Sequence, residues 1–412
     1  MKILKRTFAF ILCVTIILSC TLITNAESNK YENKYPFIFV HGMFGWGRDE
    51  GINKIIPYWG ATTGSLMEYL ESKNIEAYDV SVGPLSSAWD NACEIYAQLT
   101  GSTVDYGEAH SKAHGHDRYG RTYDEALVPD WSENKKVHLI GHSHGGQAVR
   151  LLAHLLAHGD KDEINATDKN SISPLFTGEK EHLVESVTTI CTPNNGTTSY
   201  NFCETFYLKP IMSIVATYYA GIVGRSFLNG TLVDFHLEHF GLTNLPGEAV
   251  AKEELQVAVD KFGNTKDAVV YDLSIEGAKN LNDKIEISEN INYFCYAYDA
   301  SGKWSKLPIN TDFLFLAFTG TLLLLYGTPE DTFGIIFNDE WLSNDGLVNT
   351  ASAKNPLDEP AREFDGEIVK GVWNVMPTRV GDHGTPIGLF SKKADVHALY
   401  DEMTEMLMSL EK

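Results

Sequence analysis

Lys136-Val137-His138-Leu139-Ile140-Gly141-His142-Ser143-His144-Gly145-Gly146 is the stretch on which the reading of this chain turns. Its opening residues are mostly apolar or β-branched and predict a buried strand over 136–141. Beyond it, Val149, Leu152, Leu155 and Leu156 recur at helical spacing until Gly159 closes the run, which predicts a helix over 146–158. Between strand and helix stands Gly-x-Ser-x-Gly, at Gly141, Ser143 and Gly145. Strand, pentapeptide and helix together are the context of a nucleophile elbow, where a serine sits strained and exposed at the tip of a very tight turn. The two glycines are required because a side chain at either position would strike the strand or helix beside it. Without those flanks the same five residues would be an ordinary Gly-rich loop.

Outward from the elbow, 35–40 reads as a fully apolar strand ending in His41-Gly42. A helix is expected over 64–72, and strands over 77–82, 183–191 and 292–298. A closing helix is expected over 404–410. Strands alternating with helices over 412 residues predict an α/β fold. The expected form is a mainly parallel sheet flanked by helices, with its site at the carboxyl ends of the strands. His41-Gly42, Ser143 and Thr192-Pro193 all fall there. Two regions do not fit a minimal core. Residues 86–123 are polar and rich in Tyr, Gly and His, and read as an insertion. Residues 202–240 and 312–326 are very apolar and broken by Gly. The latter has two readings, a buried core helix or a mobile cover over an acyl-binding cleft.

The hydrophobic content of 43% is that of a globular protein with a substantial core, so no external scaffold is needed to hold it. Residues 1–26 differ from the rest. Lys2, Lys5 and Arg6 precede an apolar run, then small polar residues lead to Asn25-Ala26, the layout of a cleaved secretory signal. Cys20 closes a segment resembling a lipoprotein box, which would anchor the chain by lipid instead. Removing the signal with its three cations would take the net charge from −22 to −25. Nucleic acid and anionic membranes would repel such a chain, and a neutral substrate suits it. Cys93, Cys191, Cys203 and Cys295 are irregularly spaced and read as buried free thiols. No obligate protein partner is indicated.

A serine hydroxyl near neutral pH needs a base to take its proton and an acid to orient that base. In this fold class they follow in the order Ser, Asp or Glu, His. His154 and His158 ride on the helix after the elbow, and His397 lies in the expected last helix. His383, in the glycine-bracketed loop Arg379-Val380-Gly381-Asp382-His383-Gly384, is the candidate base. Asp345, in Ser343-Asn344-Asp345-Gly346, is the candidate acid, with an ordinary Asn-Asp-Gly turn as the alternative. An oxyanion needs backbone N–H donors, for which Met43 after the first strand and His144 after the nucleophile are the candidates. Separately, His110, His114 and His116 crowd into seven residues. Two of these imidazoles with two remote carboxylates would make a closed tetrahedral metal site. Spacing does not choose among the three.

The chain resembles the secreted zinc-containing lipases of Gram-positive bacteria, typified by thermophilic-bacillus enzymes and related to the staphylococcal lipases. The resemblance covers nearly all of the chain beyond the signal. It is carried by Val40-His41-Gly42-Met43-Phe44-Gly45-Trp46-Gly47-Arg48 and by Val82-Gly83-Pro84-Leu85-Ser86-Ser87-Ala88-Trp89-Asp90. Further carriers are Thr103-Val104-Asp105-Tyr106-Gly107, Tyr271-Asp272-Leu273-Ser274 and Trp341-Leu342-Ser343-Asn344-Asp345-Gly346. It implies an α/β-hydrolase fold and triacylglycerol hydrolysis with Ser143 as nucleophile, Asp345 as acid and His383 as base. It also implies a structural zinc on Asp90, His110, His116 and Asp267, which leaves His114 a bystander, and a helical lid over 202–240. Two departures stand out. The family pattern has Gln where this chain has His144. Its calcium carboxylates after the catalytic histidine are missing from residues 383–390, so calcium is expected to bind weakly or not at all. A phospholipase A1, a short-chain esterase, a zinc-dependent hydrolase and a non-catalytic binding module are the rival readings.

Overall fold

The structure, a computed structural model, describes residues 32–200, 234–241, 252–303, 305–326 and 331–411. Seven strands form one sheet: β1 (Phe37–Val40), β2 (Ala77–Val80), β3 (Val137–His142), β4 (Val184–Ile190), β5 (Asn292–Tyr296), β6 (Ala361–Glu363) and β7 (Trp373–Val375). They lie in the order β2-β1-β3-β4-β5-β7-β6, and every pairing is parallel. Parallel sheets are covered on both faces, which is why β1 is apolar at every position and fully buried. Ile38 and Val40 join one core with Leu139, Val149 and Leu152. Phe39 enters the other, its ring 5.0 Å from Trp59 and 5.8 Å from Tyr400. Each such side chain stabilises the fold by about 1.5–3 kcal/mol relative to exposure.

Six helices matter for the site: α1 (Leu66–Ser72), α2 (Ala88–Thr100), α3 (Glu108–His114), α4 (His144–His158), α5 (Leu314–Tyr326) and α6 (Lys393–Met408). Ser65 starts α1 by accepting the Glu68 N–H at 3.2 Å. The chain runs from β1 to β2 on one side, then crosses to β3 on the other. That reversal opens a crevice at the carboxyl ends of β1 and β3, where this class of sheet binds its ligands.

Several expectations change in detail. The expected strand over 77–82 ends at Val80, and that over 292–298 divides, with Tyr298–Asp299 pairing with Arg379–Val380 apart from the main sheet. The last helix begins at Lys393 rather than 404. Residues 86–123 are not a surface insertion throughout. Ala88–Thr100 is a core helix packed on α4. Its polar residues misled because they are buried in pairs: the Gln98 amide bonds both ways to the Ser81 backbone, and Glu94 accepts from Gly83 N–H. Of the two readings of 312–326, the buried core helix is not what forms. α5 buries Leu316 and Leu323 but leaves Leu314, Phe315, Phe318 and Leu325 exposed.

The expected signal, Cys20, Cys203 and most of the expected lid (202–233) lie outside the described residues. Cys93, Cys191 and Cys295 are free and buried. Among the described residues, no helix is long and apolar enough to cross a membrane.

Candidate active site and metal cluster

Ser143 caps α4 with φ 55° and ψ −129°, a backbone conformation that side-chain-bearing residues rarely adopt. The strain is held from several sides. Ser143 N–H donates to Ile190 O at 2.9 Å, and Gly146 N–H donates back to Ser143 O at 3.0 Å. A Cβ on Gly141 would lie 2.4 Å from the Gly145 carbonyl, and one on Gly145 would lie 2.4 Å from the Val40 and His41 carbonyl oxygens. Both glycines are therefore fixed by clearance. Gly42, on the neighbouring loop, is as close: its Cβ would fall 2.7 Å from Ser143 Cβ and 3.2 Å from Ser143 Oγ.

Asp345 and His383 meet although 38 residues separate them. His383 Nδ1 lies 2.8 Å from Asp345 Oδ2, and His383 N–H donates to Asp345 O at 2.8 Å. The other oxygen, Oδ1, accepts from Leu347 and Val348 N–H at 3.0 and 2.8 Å. An ionised carboxylate only accepts, so Nδ1 carries the ring proton and Nε2 keeps its lone pair. That is the tautomer a general base needs. Asp345 does sit in a tight turn, with Gly346 at φ 103°, so the turn and the pairing coexist. Asp382 faces away, accepting from Gly384 and Asp312 N–H.

Among the described residues, the Met43 and His144 amides meet no acceptor. A donor pair left open beside a strained serine can receive developing negative charge. The His144 side chain turns elsewhere, its Nε2 3.2 Å from Asp272 Oδ2. Burial pushes the Cys191 thiol well up, so this neighbour of Asp345 stays protonated and is no nucleophile.

The structure also gathers Asp90, His110, His116 and Asp267, with one ligand atom from each within 4.8 Å of the others. His114 lies beside His110, rings 4.5 Å apart, but outside that set. Asp90 Oδ1, His110 Nε2, His116 Nε2 and Asp267 Oδ1 are all buried without a hydrogen bond. Orphaned polar atoms are costly singly; four gathered within 4.8 Å of one another could hold a metal ion. His110 Nε2 lies 3.2 Å from both Asp90 Oδ1 and Asp267 Oδ1. A tetrahedron with metal–ligand bonds of about 2 Å has edges of about 3.3 Å, so the residues fit a small divalent cation. His116 Nδ1 donates to Asp117 O at 2.8 Å, which leaves the Nε2 lone pair facing inward. Burial pulls His110 down, yet the Asp267 and Asp90 carboxylates outweigh it and raise it to about 9. Burial likewise favours neutral Asp267, but His110 and His116 hold it well below the usual carboxylate range. The cluster asks for positive charge.

Supporting residues escaped the sequence. His239 Nδ1 lies 3.0 Å from the second oxygen of Asp90. Glu163 accepts the Ala109 and His110 N–H groups at 2.9 and 2.7 Å, starting α3 where Gly107 offers no cap. Tyr58 and His142 pack behind the elbow, Tyr58 Oη 2.7 Å from His142 Nδ1. His142 was in plain view inside the pentapeptide; the others gave no spacing signal.

A family model described as "Lipase-like, C-terminal domain" matches residues 33–412. The chain is 38% identical to a lipase of Staphylococcus hyicus over 402 residues, covering 95% of this chain and 60% of that protein. It is 35% identical to a lipase of Staphylococcus epidermidis over 362 residues, covering 86% and 50%. The chain thus spans about half the length of the curated relatives it matches. Among solved structures, Staphylococcus hyicus lipase superposes with a TM-score of 0.77 at 33% identity, covering 94% of this chain and 98% of that one. EstA from Clostridium botulinum does so with 0.77 at 34%, covering 94% and 90%.

Proposed function

The chain belongs to the family of lipase-like C-terminal domains, and from that membership we propose that it is a secreted triacylglycerol lipase. It hydrolyses long-chain acylglycerols at a lipid–water interface, within one α/β-hydrolase domain behind a cleaved signal. Ser143 Oγ attacks the ester carbonyl while His383 Nε2 takes its proton. Asp345 holds the imidazole and balances the imidazolium. The Met43 and His144 amides receive the oxyanion. His383 then protonates the departing glycerol alkoxide, and water repeats the sequence to free the fatty acid.

Zinc is the cation we propose for Asp90, His110, His116 and Asp267, where bound metal would neutralise the two carboxylates and cross-link three chain segments. Four protein donors close the sphere, leaving no open position for a catalytic water. That counts against a zinc-dependent hydrolase.

The observation that supports this reading is the Asp345–His383 contact of 2.8 Å, together with the strained conformation of Ser143 and the 3.0 Å approach of His383 O to Nε2 of the adjoining His142. The test is hydrolysis of emulsified long-chain triglyceride by wild type and Ser143→Ala, with bound metal measured on the same samples. Ser143→Ala is expected to lose roughly 10⁴-fold or more in kcat and to keep its metal. Activity close to wild type in Ser143→Ala would defeat the mechanism. Preference for soluble butyrate esters over emulsified triglyceride would favour a short-chain esterase on the same scaffold.

A further inference from the structure

The oxyanion loop and the histidine loop flank the nucleophile and come from distant parts of the chain, yet three hydrogen bonds join them. Gly42 N–H donates to Tyr58 Oη at 3.0 Å. Tyr58 Oη lies 2.7 Å from His142 Nδ1, and His142 Nε2 lies 3.0 Å from the His383 carbonyl oxygen. The direction of the relay is forced. A carbonyl can only accept, so His142 Nε2 carries the ring proton. In the neutral ring Nδ1 is then an acceptor, and the Tyr58 hydroxyl must donate to it. The Tyr58 oxygen is left to accept from Gly42. No donor or acceptor along the relay lacks a partner.

The surroundings keep it in that state. Tyr58, His142 and His383 are buried. Burial, then the neighbouring His383, pushes His142 well below the usual imidazole range, so the ring stays neutral near pH 7. Burial also pushes the Tyr58 hydroxyl up, so it keeps its proton. The far side of Gly42 is fixed as well: His41 Nδ1 donates to Gly42 O at 2.9 Å, and Val82 N–H donates to His41 Nε2 at 3.3 Å. Both polar atoms of the residue preceding Met43 are therefore held by side chains.

We propose that Tyr58 and His142 are positioning residues for ester hydrolysis, a relay that sets the oxyanion loop and the histidine loop at a fixed separation around Ser143. The inference rests on Ser143, Asp345 and His383 being the triad. Neither residue touches substrate. Each acts through backbone: Tyr58 through the Gly42 N–H, one peptide before the Met43 amide, and His142 through the carbonyl of the base itself. Misplacement of about 1 Å in such an assembly can cost about 100-fold in rate. A loosened relay therefore lowers kcat and leaves KM unchanged, because ground-state binding of the acyl chain does not use it.

The experiment measures kcat and KM on emulsified triglyceride for Tyr58→Phe, His142→Phe, His142→Gln and the double variant Tyr58→Phe/His142→Phe, with thermal unfolding of each. Tyr58→Phe removes one oxygen and keeps the ring packed, so it is the variant that separates hydrogen bonding from packing. It is expected to lower kcat about tenfold, and His142→Phe about 100-fold, both with unchanged KM. His142→Gln, whose amide can again donate to the His383 carbonyl, recovers part of that loss. The double variant is no slower than His142→Phe alone, since one relay is broken once. Cooperatively unfolding Tyr58→Phe and His142→Gln proteins with wild-type kcat, beside an inactive Ser143→Ala, would overturn the relay and leave the triad standing. An active Ser143→Ala would instead remove the reading on which the relay rests.

Discussion

Among the described residues, the Asp345–His383 pair and the Asp90–His110–His116–Asp267 group are built from the same side-chain types and arranged in opposite ways. At the elbow donors and acceptors are matched to one another. Asp345 accepts, His383 donates and keeps one lone pair, and Tyr58 and His142 continue the pattern behind them. At Asp90, His110, His116 and Asp267 one atom of each lacks a hydrogen-bond partner, and one ligand atom from each lies within 4.8 Å of the others. The electrostatics follow. Burial lowers His41 to about 4 in the first region, whereas carboxylates raise His110 to about 9 in the second. A chain of matched donors and acceptors handles protons one at a time; a convergent set of acceptors binds a cation. Residue type alone does not distinguish them, but satisfaction of hydrogen bonds does.

The contrast is broken most severely at its first member. Asp345→Asn keeps the shape but not the charge and invites the wrong His383 tautomer. It is expected to lower kcat roughly 10⁴-fold while leaving metal content untouched, measured by triglyceride hydrolysis and elemental analysis. The mirror experiment is Asp267→Asn. There bound metal falls from about one per chain to almost none, and stability in urea falls by roughly 3–5 kcal/mol as a buried charged cluster loses a member. On the proposed mechanism, freshly chelated wild-type protein should still turn over, losing activity only as it unfolds. Instant loss on chelation, together with a surviving Ser143→Ala, would transfer the chemistry from the first cluster to the second.

A smaller effect sharpens the electrostatic side. His41 and His154 are each lowered to about 4, chiefly by burial. Below the ordinary histidine range of about 6.5 the unfolded chain takes up protons that these folded rings refuse. Their contribution is complete above that range and is lost as pH falls from about 6.5 to 4, by about 1.4 kcal/mol per pH unit for each ring. Urea unfolding at pH 7.5, 6 and 5 measures it, and His154→Gln should flatten the slope by one ring's share.

Legibility in the sequence divides along the same line. β1 and β3 could be read because a parallel strand buried on both faces leaves an apolar run, and the elbow because its glycines are a steric necessity. Asp345 and His383 were legible as an order along the chain, but their meeting is a tertiary fact. Ala88–Thr100 was misread because Asp90, Asn91, Glu94 and Gln98 suggest a surface, and only their partners show that they are buried. α5 resisted for the opposite reason: apolar residues outside the core break the rule that links hydrophobicity to burial. Tyr58 and His239 carry no signal at all until the fold brings their partners to them.

Gly42 has a consequence for anyone who would redesign this protein. The gap beside the nucleophile is narrower than one methyl group, since a Cβ there would lie 3.2 Å from Ser143 Oγ. On the proposed mechanism, an alanine at 42 would act as a tethered inhibitor, its methyl group crowding the nucleophile from within the protein. Position 42 is closed to anything larger than hydrogen.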